Sequence, residues 1–436
     1  MSEKVIVIGG GLAGVEAAWQ VANAGYEVDL YEMKPVKYSP AHHMATLAEL
    51  VCSNSLKAKR LESAAGLLKA EMRIFGSVCM ECADVAEVPA GGALAVDRNI
   101  FSQLVTEKIE NHPRINVIHE EVTEIPEGNV IIAAGPLASD SLSDDIAKLC
   151  GDGLYFFDAA APIVTKESID MDSAFTASRY ERGGESDYIN CPMNKEEYEN
   201  FYDALINAES ADLHSFDKRK DVYEGCMPIE VMASRGKDTM RFGPLKPVGL
   251  RDPRTGHRPW AVLQLRKENS AGSMFNLVGF QTNLKFPEQK RVFSMIPALK
   301  NADFVRYGVM HRNTFIDSPR LLYGDFSFRA RENLFFAGQI TGVEGYMESA
   351  ASGIMAGLNM VRKLQGKETL ILPETSMIGA LSRYISDESV KNFQPMGANF
   401  GVLPPIEPKI RDKQERYAAL SDRGLSDLKE YLQGRL

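Results

Sequence analysis

The sequence has no long apolar run, and no stretch approaches the roughly 18 consecutive apolar residues that a membrane-spanning helix needs. It also has no excess of positive charge, since 59 acidic residues outnumber 49 basic ones and leave a formal net charge of −10. A protein that binds nucleic acid over its whole surface is therefore excluded, and any such site has to be a local patch. We expect no membrane span.

Cysteine and histidine are scarce, with six and seven residues in a chain of 436. The cysteines are scattered, and a strand begins at Val5 with no apolar signal segment before it, so we expect thiols in a reducing cytoplasm. Cys79 and Cys82 form one CxxC pair, but a structural zinc site needs a second pair. His42 and His43 are adjacent and point apart, unlike spaced metal ligands. We predict two ordinary thiols and no metal site.

The first 32 residues contain a dinucleotide fingerprint. A strand over Val5–Ile8 leads into GGGLAG, then an alanine-rich helix that ends near Gly25, then a second strand that closes at Glu32. In such a motif one glycine allows the tight turn, one lets the backbone approach a pyrophosphate and one lets helix and strand pack closely. Glu32 stands near the offset of about 20 residues at which a carboxylate binds a ribose. The predicted cofactor-binding residues here are Gly9, Gly10, Gly11, Leu12, Ala13, Gly14 and Glu32.

A second strand, glycine turn and helix lie near the other end of the chain, over residues 333–353. The strand over 129–136 ends in Ala-Ala-Gly-Pro, an exit typical of FAD-dependent oxidoreductases, although any buried parallel strand with a glycine exit would look similar. In flavoproteins such a second turn covers the ribityl chain and the flavin ring, which a nicotinamide-only domain does not need. We therefore predict FAD, bound additionally by Gly135, Gly338, Gln339, Gly342 and Gly345.

Residues from about 155 to 323 interrupt the βα alternation with short apolar runs and Pro or Gly turns. We predict an α/β fold with a Rossmann-like FAD-binding domain built from residues 1–154 and 324–436, and an inserted α+β substrate domain over 155–323. Within the first part, the apolar spacing from Leu61 to Cys82 predicts a helix with the CxxC pair at its end.

One part of the insertion is locally basic. Nine Lys or Arg residues lie between Ser234 and Lys267, against two acids. Such a run is compatible with an anionic partner larger than the cofactor, and equally with a solvated face. The sequence leaves these two interpretations open.

Over nearly its whole length the chain resembles the bacterial folate- and FAD-dependent tRNA uracil-5-methyltransferases. The motifs that carry the resemblance include GGGLAG, YEMKPVKYSPAHH, ELVCSNSL, VPAGGALAVDR, YEGCMPIEVMA, RFGPLKPVGL, RYGVMHRNTFIDSP, FFAGQITGVEGYMESAASG and NFQPMGANFG. The resemblance implies a FAD-binding domain like that of glucose-inhibited division protein A. It also implies methylation of the T-loop uridine of tRNA, with methylenetetrahydrofolate as carbon donor and FAD, reduced by NADPH or NADH, as hydride source.

The resemblance also implies roles for individual residues. Cys226 looks like the nucleophile, whose thiolate adds to C6 of uracil and makes C5 reactive. Cys52 is similar to a second functional cysteine near the flavin, although its residue type alone suggests a packing role. Tyr346 resembles a tyrosine that stacks on the flavin or folate ring, the alternative being a core aromatic. Candidate RNA or folate contacts are Arg241, Lys246, Arg251, Arg254, Arg258, Arg266, His311, Arg312 and Lys409.

Two alternative functions stay open at this point. The first is the same chemistry on a ribosomal RNA uridine, because RNA read by shape leaves little trace in a protein sequence. The second is a flavin-binding RNA chaperone without catalysis, against which the two cysteines in their motifs argue. The expected partners are tRNA, folate and nicotinamide, with no membrane and no obligate protein partner.

Overall fold

The computed structural model of the protein describes residues 4–39, 41–150, 154–159, 161–181, 188–211, 227–267, 272, 274–308, 310–390, 393, 395–408 and 410–435. Within them the strands are β1 (Lys4–Ile8), β2 (Glu27–Glu32), β3 (Ser55–Ala58), β4 (Glu87–Val88), β5 (Ala93–Val96), β6 (Ile115–His119), β7 (Asn129–Ile132), β8 (Leu154–Ala159), β9 (Ile163–Thr165), β10 (Phe175–Thr176), β11 (Tyr188–Met193), β12 (Ala261–Lys267), β13 (Met274–Leu277), β14 (Phe304–Arg306), β15 (Met310–Phe315), β16 (Ser327–Phe328) and β17 (Arg331–Phe336). The helices are α1 (Leu12–Asn23), α2 (Ala64–Ile74), α3 (Val78–Val85), α4 (Arg98–Glu110), α5 (Asp140–Cys150), α6 (Lys195–Ile206), α7 (Ile229–Ser234), α8 (Thr239–Phe242), α9 (Phe286–Phe293), α10 (Ser318–Leu321), α11 (Tyr346–Leu364), α12 (Met377–Ser386) and α13 (Lys413–Leu432).

The main sheet joins the two ends of the chain. Its strand order is β16-β17-β7-β1-β2-β6, and every pairing is parallel except that of β16 with β17. Val7 of β1 pairs with Leu30 of β2 on one side and with Ile131 of β7 on the other, and Leu334 of β17 pairs with Val130. The chain thus winds in opposite directions on the two sides of β1, which opens a crevice at the carboxyl ends of these strands. This order confirms the predicted Rossmann-like domain built from both ends.

Helices α1 and α11 pack at backbone distance. A Cβ added at Gly353 would lie 2.1 Å from the carbonyl oxygen of Ala13, and one added at Gly357 would lie 2.7 Å from that of Ala17. Both contacts advance by four residues on each helix, so the two helices run in the same direction. Since α11 starts seven residues before Gly353, its N-terminal end extends roughly 10 Å beyond the start of α1. The close packing therefore places the start of α11 over the crevice.

The inserted region has a sheet and a core of its own. Six strands in the order β10-β11-β12-β13-β9-β14 pair antiparallel. Helices α6, α7 and α9 contribute to a second apolar core that contains Tyr198, Phe201, Phe280 and Phe293. The chain enters this sheet through β8 and leaves it through β15, and these two strands form an antiparallel ribbon. The α+β character predicted for the insertion is thus observed, while the predicted boundaries at 155 and 323 stay predictions.

The predicted helix from Leu61 to Cys82 is wrong as a single element. Two helices, α2 and α3, occupy this stretch, because Gly76 turns the backbone into the left-handed region (φ +67°) and the Ser77 side chain caps α3 by accepting from Met80 N–H. The apolar spacing continues across the break, which is why periodicity alone missed it. Both cysteines are buried thiols within α3, and burial raises the pKa of Cys82 to about 12.

None of the helices in the described ranges combines the length and hydropathy that a bilayer span requires. Within the same residues, no group of three or more His, Cys, Asp or Glu side chains could hold a metal ion.

Candidate functional site

A cleft of about 1060 Å³ lies at the carboxyl ends of β1, β2 and β7, under the start of α11. The residues predicted from sequence that line it are Gly9, Gly11, Leu12, Ala13, Glu32, Gly135, Gly338, Gln339 and Tyr346. Both glycine turns and the strand exit thus face one cavity. Gly10, Gly14, Gly342 and Gly345 shape its walls without lining it.

The glycines of the first turn have distinct tasks. A Cβ at Gly14 would lie 1.7 Å from the carbonyl oxygen of Gly9, so this position lets α1 pack against the turn. Gly9 has φ +105°, and its Cβ would meet the carbonyl oxygen of Ala133 at 2.5 Å. Gly11 is different, because nothing lies within 4 Å of its added Cβ. It is the N-cap of α1 and provides no side-chain cap, so the free N–H groups of the helix face open space where a pyrophosphate fits. The site therefore fits FAD.

The carboxylate of Glu32 is buried and already held by the backbone. Its Oε2 accepts a hydrogen bond from Gly10 N–H at 2.9 Å, and its Oε1 accepts one from Lys34 N–H at 3.0 Å. The role of Gly10 is therefore to hold Glu32. Because a carboxylate has about four acceptor positions, two hydrogen bonds leave capacity for ribose hydroxyls.

A buried ion pair that the sequence reading missed closes one side of the cleft. Lys34 Nζ lies 3.4 Å from Glu49 Oε2 and also donates to the carbonyl of Thr46 at 2.7 Å. The Glu49 carboxylate accepts from His43 N–H at 2.9 Å and Met44 N–H at 3.2 Å. The pair thus fixes the loop after β2. Its two members lie in two of the motifs quoted above, Lys34 in YEMKPVKYSPAHH and Glu49 in ELVCSNSL.

The second glycine turn is built around three left-handed glycines. Gly338, Gly342 and Gly345 have φ values of +85°, +83° and +125°. A Cβ at Gly342 would lie 2.3 Å from the ring of Phe393, so this turn is covered closely by a later segment of the chain. Gly345 is the N-cap of α11 and has no side-chain cap; a Cβ added there would lie 2.2 Å from Glu348 Oε2, so the Glu348 carboxylate lies close against the start of this helix. Gln339 Nε2 donates to Glu344 at 2.9 Å.

Cys52 and Tyr346 meet at the edge of the cleft. The hydroxyl oxygen of Tyr346 accepts hydrogen bonds from Cys52 N–H at 2.7 Å and from Ser53 N–H at 3.1 Å. Burial raises the pKa of Tyr346 above its ordinary value, so the group is a neutral phenol that retains its own proton. Cys52 is a half-buried thiol. The structure thus brings together two of the three residues predicted to be catalytic.

Two arginines hold the segment around Cys52 from other sides. Arg98, which sequence reasoning did not single out, donates from Nη1 to the carbonyl of Leu50 at 2.8 Å. Arg266 donates from Nη2 to Ser53 Oγ at 2.6 Å and from Nε to Asn54 Oδ1 at 3.0 Å. Arg266 is only 7% exposed and two of its nitrogens are engaged by this segment, which indicates a structural role; its predicted role as an RNA contact stays a prediction. The reason is that β12 of the inserted sheet ends against this segment, and the guanidinium joins the two.

Two other arginines of the basic run are already engaged by neighbouring side chains. The guanidinium of Arg241 stacks 3.7 Å over the ring of Trp260 and pairs with Asp238. Arg254 pairs with Asp252 at 2.7 Å, which lowers the pKa of that carboxyl. Of the other predicted contacts, Arg251 and Arg258 are exposed and Lys246 is half-buried.

Four predicted site residues are not described in full. Cys226 and Lys409 lie outside the described residues. His311 and Arg312 belong to β15, where their backbones pair with Asp158 and Phe157 of β8, and their side chains lie outside the described part. Their predicted roles stay predictions.

Comparison with known proteins gives a consistent picture. A family model described as glucose inhibited division protein A matches residues 4–368. The chain is 61% identical over 434 residues to a protein of Acetivibrio thermocellus and 58% identical over 431 residues to one of Listeria monocytogenes, with 99% of each chain covered in both cases. Both relatives bear the name methylenetetrahydrofolate–tRNA-(uracil-5-)-methyltransferase TrmFO. The solved structure of Aquifex aeolicus GidA aligns with a TM-score of 0.70 at 18% identity, over 99% of this chain and 76% of that one, which is a likeness of fold.

Proposed function

Because the chain belongs to the glucose inhibited division protein A family, and within it to the methylenetetrahydrofolate–tRNA-(uracil-5-)-methyltransferases, we propose that it methylates C5 of the T-loop uridine of tRNA. Methylenetetrahydrofolate is the one-carbon donor and FAD the bound cofactor. NADPH or NADH reduces the FAD, and because the chain has one dinucleotide fingerprint, the nicotinamide binds transiently near the folate or RNA.

The observation that carries this proposal is the hydrogen bond between Tyr346 and Cys52 at the edge of a dinucleotide cleft. This hydrogen bond ties the segment that carries the Cys52 thiol to a residue that lines the cleft, an arrangement that flavin storage alone does not require. The fixed phenol keeps the backbone of Cys52 in place, and its ring lines the cavity where flavin and folate would lie. In this proposal, Cys52 assists a proton step at the reacting base.

When bound, FAD supplies the hydride that completes the methyl group. Gly11 and the start of α1 would hold its pyrophosphate, and the Glu32 carboxylate would accept hydrogen bonds from its ribose. Cys226 acts as the nucleophile, whose sulfur bonds to C6 of uracil so that the double-bond electron pair moves to C5 and attacks the one-carbon unit. Loss of the C5 proton to a base breaks the bond between the one-carbon unit and its carrier nitrogen and leaves an exocyclic methylene at C5. Hydride addition to this methylene makes the methyl group and expels the Cys226 sulfur from C6, which restores the ring double bond and frees the enzyme.

The RNA is held by the inserted domain, which we take as residues 155–323 between the two parts of the FAD-binding domain, 1–154 and 324–436. Its described candidate contacts for phosphates are the exposed Arg251, Arg254 and Arg258 and the half-buried Arg241 and Lys246. The proposed set also includes His311 and Arg312 of the insertion and Lys409 of the second part of the FAD-binding domain. The target base leaves its stack to reach the cleft. A cytoplasmic location, where tRNA and reduced nicotinamide are present, is part of the same proposal.

The test is an assay with purified protein, methylenetetrahydrofolate, NADPH and unmodified tRNA transcript, in which 5-methyluridine is measured by nucleoside mass spectrometry. We expect product that depends on folate. Cys226→Ala should abolish it while the flavin content stays normal, and Cys150→Ala, which alters a half-buried thiol on α5, serves as the matched control. If 5-methyluridine forms on ribosomal RNA but not on tRNA, ribosomal RNA takes the place of tRNA as the proposed substrate. If neither RNA is methylated although FAD is bound and can be reduced, the result favours an RNA chaperone.

A further inference from the structure

One exposed aromatic residue has no role in the site described above. Phe242, the last residue of α8, is 84% exposed, the largest fraction of any large apolar residue in the described ranges. Single exposed apolar side chains are common on protein surfaces. Whether Phe242 is a binding residue therefore depends on how its turn is held and on which residues surround it.

The turn that carries Phe242 is anchored on both sides of the ring. Met240 and Leu245 are fully buried, and Leu245 N–H donates to the carbonyl of Met240 at 2.9 Å. Arg241 stacks on Trp260 and donates from Nε to its carbonyl at 2.9 Å. The ring is thus held outward by a fixed scaffold, so a partner that binds it loses little conformational entropy in ordering the turn.

The stretch of sequence around Phe242 is rich in positive charge. From Ser234 to Val248 the chain has four Lys or Arg residues and one acid, in a protein whose net charge is −10. The exposed Arg251 and Arg258 follow 9 and 16 residues after Phe242. A flat ring among cations matches single-stranded nucleic acid, since bases stack on aromatic faces while phosphates pair with Lys and Arg.

We propose that Phe242 stacks on an unpaired base of the tRNA substrate, with the flanking cations on the neighbouring phosphates. The proposal rests on the proposed function, from which it takes the RNA. It adds a contact that carries no charge, and this property separates it experimentally from the basic residues around it. Removing the ring weakens binding without changing how binding depends on salt, because no counterion release is lost.

The experiment measures the Kd of full-length protein for tRNA transcript at several salt concentrations. Phe242→Ala should weaken binding by about 5- to 150-fold at every salt concentration, the range for one stacked base. Phe242→Trp should bind like the unaltered protein, whereas Phe242→Leu, which keeps apolar bulk without a ring, should behave like the alanine variant. Ile371→Ala, which removes a 60% exposed apolar side chain after α11, is the matched control and should bind normally. Equal melting temperatures establish that all variants fold.

An unchanged Kd for Phe242→Ala, or a change only in the dependence of Kd on salt, overturns the stacking proposal. If the unaltered protein still methylates tRNA, the proposed function is not affected by that result. Equal losses in the alanine and tryptophan variants, with the leucine variant normal, also overturn it, because they indicate an apolar protein contact. If the unaltered protein neither binds nor methylates tRNA, the proposed function fails, and with it Phe242 as a tRNA contact.

Discussion

The hydroxyl oxygen of Tyr346 accepts a hydrogen bond from the backbone N–H of Cys52 at 2.7 Å, although 294 residues separate the two in sequence. Tyr346 is the first residue of α11, and Cys52 belongs to the loop that precedes β3. One phenol therefore couples the second glycine turn to the segment that carries the proposed catalytic thiol. A substitution at either residue should therefore disturb the segment that carries the other.

Tyr346→Phe tests this coupling, because it keeps the ring and removes only the acceptor. Two backbone N–H groups, of Cys52 and Ser53, lose their partner, which we expect to cost about 1–3 kcal/mol of unfolding free energy and to lower turnover. Denaturant unfolding and the 5-methyluridine assay measure the two effects. Tyr323→Phe, at a 48% exposed tyrosine, is the control and should leave stability unaltered. Full stability and full turnover of the Tyr346 variant would show that the hydrogen bonds do not position the loop.

Arg266→Lys tests whether the inserted sheet positions the Cys52 segment. Lysine keeps the charge but cannot donate to Ser53 and Asn54 as a planar fork. Since misplacement of a catalytic group by about 1 Å can cost 10²-fold, we expect kcat to fall by about 10- to 100-fold, with a small change in the Kd for tRNA.

Arg258→Ala provides the contrast for Arg266, because this exposed side chain is proposed to contact phosphate. It should weaken tRNA binding and lower the slope of log K against log salt by about 1. If Arg266→Lys instead reproduced this salt signature and kept its kcat, the guanidinium would belong to the RNA contacts after all.

Gly11→Ala and Gly14→Ala separate cofactor binding from folding within one turn. An added Cβ at Gly11 has no neighbour within 4 Å, so the protein should fold, but the methyl group would occupy space needed by a pyrophosphate. We expect a loss of bound flavin of about tenfold or more with a normal melting temperature of the apoprotein. Gly14→Ala should fail to fold, because its Cβ would lie 1.7 Å from a carbonyl oxygen. Normal flavin content in the Gly11 variant would contradict the pyrophosphate assignment.

The buried Glu71 should make stability depend on pH. Its carboxylate accepts from Met377 N–H at 2.7 Å and Ile378 N–H at 2.9 Å at the start of α12, and burial raises its pKa from 4.5 to about 8. Between pH 4.5 and 8 the unfolded chain releases the Glu71 proton while the folded chain keeps it. The contribution of this protonation to the free energy of unfolding is therefore fully present below pH 4.5 and is lost as the pH rises towards 8. The loss amounts to at most about 1.4 kcal/mol per pH unit.

Glu71→Gln removes this titration. Unfolding free energy measured from pH 5 to 8 should therefore fall less steeply in the variant than in the unaltered protein. Some slope should persist, because burial also raises the pKa of Glu16 to about 7. Glu62→Gln, at an exposed position two residues before α2, should leave the profile unchanged. Parallel profiles for Glu71→Gln and the unaltered protein would contradict the assignment.

The parts of the site that sequence could predict are those set by local spacing. GGGLAG, with a strand before it and a helix after it, identified the pyrophosphate turn, and the second glycine turn identified the covering helix. The charge run from Ser234 to Lys267 was predicted less well, because a count of charges does not show which side chains face inward. Arg266 lies on a strand whose end meets another domain, and Arg241 is covered by Trp260.

By itself, the sequence determined the local geometry, the fold class and the family, because turns, helix starts and strand patterns depend on residues within a few positions of one another. Only the tertiary structure decided that Cys52 meets Tyr346, that Arg98 and Arg266 hold the segment between them, and that α11 starts over the cleft. These contacts join residues that are far apart in the chain. They depend on how closely α1 and α11 pack and on where β12 ends, and no short stretch of sequence fixes either.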